Sequence, residues 1–248
     1  MLKLATSAAT LVAAVAAVPA PRCNPESEPE LLQDEAPDNG VPLTLLPQTA
    51  GDESPACLDG SPYGFYFQPS KTGSTKWTVT INGGGWCYDE VDCFCRSKGG
   101  LGTSKADAKT GGCSCMNPKE DGTMDDDCNC IHMPYSDGAS FAGYRAKPQP
   151  VPAGPGVPAG STVTFRGIKN LDGVIDFARA HGLKTATEFV VTGGSAGGLS
   201  TFLHADRFAA ALPKGCKAHA APVVGYFLVC LPPPPPLSTL HRRPAAKH

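Results

Sequence analysis

The run EFVVTGGSAGG, residues 188–198, continues directly into LSTFLHADRFAAAL, residues 199–212. Its first part, EFVVT (188–192), is apolar and β-branched after Glu188, which predicts a buried strand. The second part predicts a helix, so the glycines between them form a tight strand-to-helix turn. Upstream, RGIKNLDGVIDFARAH (166–181) carries Ile168, Leu171, Val174, Ile175 and Ala178 at helical spacing, with Gly182 as the stop. PYGFYFQP (62–69), KWTVTIN (76–82), IHMPY (131–135) and TVTF (162–165) predict further strands from their aromatic and β-branched content. Strand, helix, strand, tight turn and helix in this order predict an α/β fold, a mostly parallel sheet flanked by helices.

The chain has 248 residues and a net charge of −2, so it lacks the basic excess of a dedicated nucleic-acid binder. With 41% hydrophobic residues it can build a core, while 28 glycines and 25 prolines require extensive loops. Residues 1–20 read as a secretory leader: Lys3, a short apolar run, then small residues at Ala17-Val18-Pro19-Ala20. No later stretch is long and apolar enough to predict a membrane span. Residues 21–54, rich in Pro, Glu and Asp, read as a disordered lead-in. The α/β domain is expected over 55–228, followed by a low-complexity tail over 229–248 with a five-proline run that no helix or strand interior accepts.

Eleven cysteines in a chain with a leader predict disulfides, of undetermined pairing, and the odd total leaves at least one thiol over. Three Cys-x-Cys pairs (93/95, 113/115, 128/130) are too tightly spaced for the usual structural zinc site. Asp125-Asp126-Asp127 lacks the alternation of a calcium loop and reads as a solvated turn. No metal or cofactor is expected.

Gly193-Gly194-Ser195-Ala196-Gly197 is Gly-x-Ser-x-Gly between a strand and a helix. That context suits a nucleophile elbow, a sharp turn that lifts the Ser195 hydroxyl above the sheet edge. Bulky side chains at 193 and 197 would collide with the neighbouring strand and helix. The Ala196 amide, at the start of the helix, suits stabilisation of an oxyanion. A phosphate loop would need a lysine after the glycines, and none is there. The second motif is INGGGWC (81–87), a strand ending in glycines, where Gly84 and Gly85 offer two further backbone amides. Trp86 is a candidate pocket wall, or equally an ordinary packed aromatic. His132 and His181 are expected on loops or the surface, and Asp59, Asp137 and Ser140 in turns.

At these residues the chain resembles the pectin acetylesterase family, which includes the Notum-like carboxylesterases. The matching segments are CLDGSPYGFYF (57–67), INGGGWCYDEVDC (81–93), LGTSK (101–105), PYSDGASFAG (134–143) and the stretch from Phe165 to Pro213. The resemblance implies an α/β-hydrolase-like fold, secretion to the extracellular space or cell wall, and hydrolysis of acetyl or other acyl esters, as on pectin, through an acyl-serine. It implies Ser195 as nucleophile, the amides of Gly84, Gly85 and Ala196 as oxyanion donors, and Cys87 and Cys93 within a disulfide framework. Three features depart from the family: Ser136 stands where it usually has cysteine, extra Cys-x-Cys pairs occupy 105–130, and a Pro/Gly stretch fills 146–160.

An activated serine needs a base and an orienting carboxylate, expected in the order Ser, Asp, His. The family-like sequence stops near 228, so the domain reads as C-terminally incomplete and the chain as written as poorly active. His204 and Asp206 are badly spaced to substitute, nine and eleven residues beyond Ser195 on one helix. The competing reading is a non-catalytic carbohydrate- or lipid-binding protein, or an inactive fragment, on the same scaffold.

Overall fold

A computed structural model describes residues 38–48 and 54–227; the leader, most of the lead-in and the tail lie outside the described residues. Seven strands form one mixed sheet in the order β4-β1-β2-β5-β3-β8-β9. They are β1 (Val41–Leu45), β2 (Gly64–Gln68), β3 (Lys76–Ile81), β4 (Thr110–Gly111), β5 (Asn129–Met133), β8 (Glu188–Gly194) and β9 (Lys217–Val223). The block β5-β3-β8-β9 is parallel, and β4, β1 and β2 extend it as an antiparallel meander. A small antiparallel ribbon, β6 (Gln149–Pro150) with β7 (Thr162–Val163), lies apart. The helices are α1 (Glu90–Arg96), α2 (Gly167–Ala180) and α3 (Ala196–Ala211).

Central parallel strands are covered on both faces, so most residues of β3 and β8 are buried, Thr78 and Thr192 along with the apolar Trp77, Val79, Ile81, Phe189, Val190 and Val191. Helix α2 buries Leu171, Val174, Ile175 and Ala178, the stripe its spacing predicts, and Gly182 follows it at φ +111°. Trp77, Phe189, Phe208, Leu171 and Ile131 belong to one core cluster. Pro222 sits within β9 without breaking the ladder. Lys217 donates to Thr187 and the Val223 carbonyl accepts from Ser195. Strand alternation therefore turns the peptide groups of odd-numbered residues toward β8 and those of Pro222 toward the outer edge, where a missing N–H costs no bond.

Four expectations need correction. The lead-in is not disordered throughout, because Val41–Leu45 pairs with β2 and β4 and Leu46 is buried in the core. Alternate apolar residues within an acidic, proline-rich context hid this strand, which lies next to the two-residue edge strand β4. His132 is neither a surface nor a loop residue: it lies in β5, 5% exposed, with its ring 6.0 Å from that of Tyr66. The stretch PQPVPAGPGVPAG (148–160), whose composition reads as a linker-like loop, packs into the fold, since Val151 and Val157 contact Phe94 and Cys93 of α1. Helix α3 begins at Ala196, immediately after the serine, rather than at 199.

Burial pushes the His132 pKa down to about 4. The neutral ring is therefore favoured in the fold, and its contribution to stability is complete above pH 6.5 and lost as pH falls toward 4. His132→Gln is expected to show a shallower loss of stability between pH 7 and pH 4.5, by about 2.5 kcal/mol relative to the parent. Chemical denaturation at the two pH values checks this.

The cysteines bond as Cys87–Cys93, Cys113–Cys130 and Cys115–Cys128, and Cys95 is also disulfide-bonded. Two Cys-x-Cys pairs thus form a ladder closing the 113–130 loop, and no metal-ligating cluster occurs among the described residues. Cys57 and Cys216 are free thiols. The Ser136 hydroxyl lies 3.1 Å from the buried Cys57 sulfur, 79 residues away in sequence. Ser136→Cys is expected to close this gap as a disulfide. It should remove one titratable thiol and stabilise the fold by about 3–4 kcal/mol. A thiol titration together with a melting curve measures both.

Candidate active site

Strand β8 delivers Ser195 at its C-terminal end. Ser195 sits at φ 52°, ψ −122°, a strained conformation for a residue with a Cβ. The tertiary frame holds it there. The Ser195 amide donates to Val223 on β9 at 3.0 Å, and its carbonyl accepts the first helical bond from Leu199. Ser195 is exposed, whereas Ala196, Gly197 and Gly198 behind it are buried. The elbow glycines are steric necessities. A Cβ on Gly193 would lie 2.6 Å from the carbonyl oxygens of Ile81 and Gly197. One on Gly197 would lie 2.1 Å from Ile81 O, and one on Gly198 2.4 Å from Val223 O.

The two glycine motifs meet. Strand β3 runs parallel beside β8, with Ile81 in register with Gly193, so the chain leaving β3 passes directly over the elbow. A Cβ built on Gly83 would lie 3.0 Å from Ser195 Cβ and 3.2 Å from the Ala196 nitrogen. Gly84 packs on Leu101 and Tyr135, and Gly85 takes φ +66°, a glycine conformation. Among the described residues, nothing accepts a hydrogen bond from the amides of Gly84, Gly85 or Ala196. Three unspent donors thus lie in two segments that converge at one exposed hydroxyl.

Behind the loop is a polar cluster that only the fold assembles. The Trp86 indole donates to Ser140 Oγ at 2.8 Å, and that hydroxyl donates to the Ala196 carbonyl at 2.9 Å. The Trp86 ring also meets Phe227 edge-on, with centroids 4.6 Å apart. Asp137 is fully buried and accepts from the Phe141 amide; burial pushes its pKa up to about 7, against the pull of the Arg96 charge. His204 bonds through Nε2 to the Ser140 carbonyl, and burial lowers its pKa. Asp206 is exposed on α3. Among the described residues, no histidine or carboxylate is hydrogen-bonded to Ser195 Oγ.

A serine on a strained turn between a parallel strand and a helix, with a glycine loop from the adjacent strand packed over it, defines the α/β-hydrolase class. The comparisons carry this further. The pectinacetylesterase family matches residues 34–231, and the chain belongs to that family. Pectin acetylesterase 11 of Arabidopsis thaliana is 34% identical over 191 residues, covering 76% of this chain and 46% of the relative. The palmitoleoyl-protein carboxylesterase NOTUM of Homo sapiens is 27% identical over 165 residues, covering 65% and 31%. The Wnt deacylase Notum from Drosophila superposes with a TM-score of 0.54 at 26% identity, over 69% of this chain and 48% of that one. The chain spans about half the length, or less, of the curated relatives it matches. No helix among the described residues is long and apolar enough to cross a membrane.

Proposed function

We propose that this chain carries the nucleophile and oxyanion hole of a secreted carboxylic-ester hydrolase that removes acetyl or related acyl groups from a polysaccharide such as pectin. The convergence of the strained, exposed Ser195 with the unpartnered amides of Gly84, Gly85 and Ala196 supports this reading most directly. The named activities of the Arabidopsis relatives point to the substrate class. The disulfides fit an oxidising, extracellular compartment.

Ser195 Oγ attacks the ester carbonyl, and the resulting oxyanion rests on the backbone amides. Collapse expels the sugar alcohol and leaves an acyl-serine, which water then hydrolyses to the free acid. The base that takes the Ser195 proton comes from outside the described residues. Trp86, fixed by Ser140 and Phe227, forms one wall of the acyl pocket. No cofactor takes part in these steps.

The test is treatment of the purified protein with a fluorophosphonate, followed by peptide mapping and an assay of acetate release from acetylated pectin. The expected result is one label, on Ser195, with acetate release where the base from outside the described residues is present. A folded protein that neither labels nor releases acetate would refute the proposal and favour a binding role on the same scaffold.

A further inference from the structure

Arg96 ends helix α1 and is only 8% exposed, yet no carboxylate among the described residues lies within ion-pairing distance of it. A buried guanidinium is costly unless its donors are used. Nε has no acceptor among the described residues, and the terminal nitrogens go to backbone carbonyls of the loop over Ser195: Nη1 donates to Gly84 at 2.5 Å and Nη2 to Trp86 at 3.2 Å. The carbonyl between these two, on Gly85, accepts from the Tyr135 hydroxyl at 2.7 Å. Tyr135 is itself held by the Ser140 amide, which donates to its oxygen at 2.9 Å. Three consecutive carbonyls are therefore pinned, two by a cation and the one between them by a buried phenol.

A trans peptide is planar, with its C=O and the following N–H pointing in opposite directions. Holding Gly84 O toward Arg96 turns the Gly85 N–H to the other side of the loop. Holding Gly85 O toward Tyr135 does the same for the Trp86 N–H. The Cys87–Cys93 disulfide ties the end of the loop to the helix that carries Arg96, which fixes the distance between the clamp and the peptides it holds.

We propose that Arg96, with Tyr135, is a positioning residue of the oxyanion hole, holding the loop carbonyls of Gly84, Gly85 and Trp86 so that the Gly85 amide faces the reacting carbonyl. The guanidinium also polarises the Gly84–Gly85 peptide, so that its N–H becomes a stronger donor to a developing oxyanion. This rests on the hydrolase reading above but is separable from it. Arg96 touches neither substrate nor Ser195, and it acts only through the backbone.

The test compares the parent, Arg96→Lys, Arg96→Ala and Tyr135→Phe by fluorophosphonate labelling, by kcat and KM on an acetyl ester, and by melting. Misdirecting one donor is expected to lower kcat on the order of 10- to 100-fold with KM nearly unchanged. Arg96→Lys should recover part of this, since an ammonium can reach one carbonyl but cannot bridge two. Tyr135→Phe keeps the ring and removes the bond to Gly85 along with the one accepted from the Ser140 amide, so it reads positioning even if Arg96→Ala misfolds. If Arg96→Lys and Tyr135→Phe melt like the parent and keep its kcat, the inference is overturned while the nucleophile stands. Losses that merely follow the folded fraction also overturn it, because they show a structural role alone. A folded parent that fails to label removes the hydrolase reading and this inference with it.

Discussion

Ser195→Ala is expected to abolish fluorophosphonate labelling and all ester turnover above the parent's background, while leaving the protein folded. The nucleophile's contribution is concentrated in one oxygen, and nothing in the described structure leans on that oxygen: its amide and carbonyl make the structural bonds. Ser195→Gly sharpens the prediction. At φ 52°, ψ −122° a side chain costs about 1–3 kcal/mol that glycine does not. The glycine variant should therefore be inactive and melt at a higher temperature than the parent. Kinetics and a melting curve on the same preparations decide it. An inactive variant that also melts lower would show that the turn is not strained by function.

Gly197→Ala is expected to be among the most damaging single changes in the chain, costing more than about 4 kcal/mol, with failure to accumulate as folded protein. The new methyl would stand 2.1 Å from Ile81 O and 2.7 Å from Asn82 O. Both are backbone atoms where the central strand β3 passes into the glycine loop, so no rotamer change relieves the overlap. Relief requires α3 to move off β3, which carries Ser195 and the Ala196 amide together away from the glycine loop that supplies the other amides. Any residual folded protein should therefore label poorly. Gly99→Ala is the matched control: a methyl there meets nothing within 4 Å, and its effect should be within about 0.5 kcal/mol. Yield, melting temperature and labelling of both variants check the pair.

Those two expectations come from positions whose meaning is local. A strand ending in two glycines, a serine and a helix start can be read from neighbours in sequence, because the steric demands of a strand-to-helix turn fall on residues a few positions apart. Helix α2 was readable for the same reason, through its 3.6-residue period. Helix α1 and strands β1, β4 and β9 were not foreseen. They are short or sit at an edge, and their identity comes from the strand or loop packed against them. His132 shows the limit plainly. Its neighbours in sequence are compatible with a surface ring, and only pairing of β5 between β2 and β3 buries it.

The amino-acid order alone was enough for the elbow, for the glycine run that meets it, and so for the class of chemistry. It did not reveal the apparatus behind the loop. Arg96 lies 12 residues from Gly84, Tyr135 lies 50 from Gly85, and Ser140 lies 56 from Ala196. Nothing in the local pattern distinguishes them from ordinary helix, strand-end and turn residues. Their roles arise when the parallel register of β3 beside β8 brings the loop over Ser195 and leaves its carbonyls facing inward, where buried backbone acceptors must find donors. Backbone conformation can be encoded by neighbours along the chain; the partners of a buried carbonyl are chosen by whatever the folded chain packs against it.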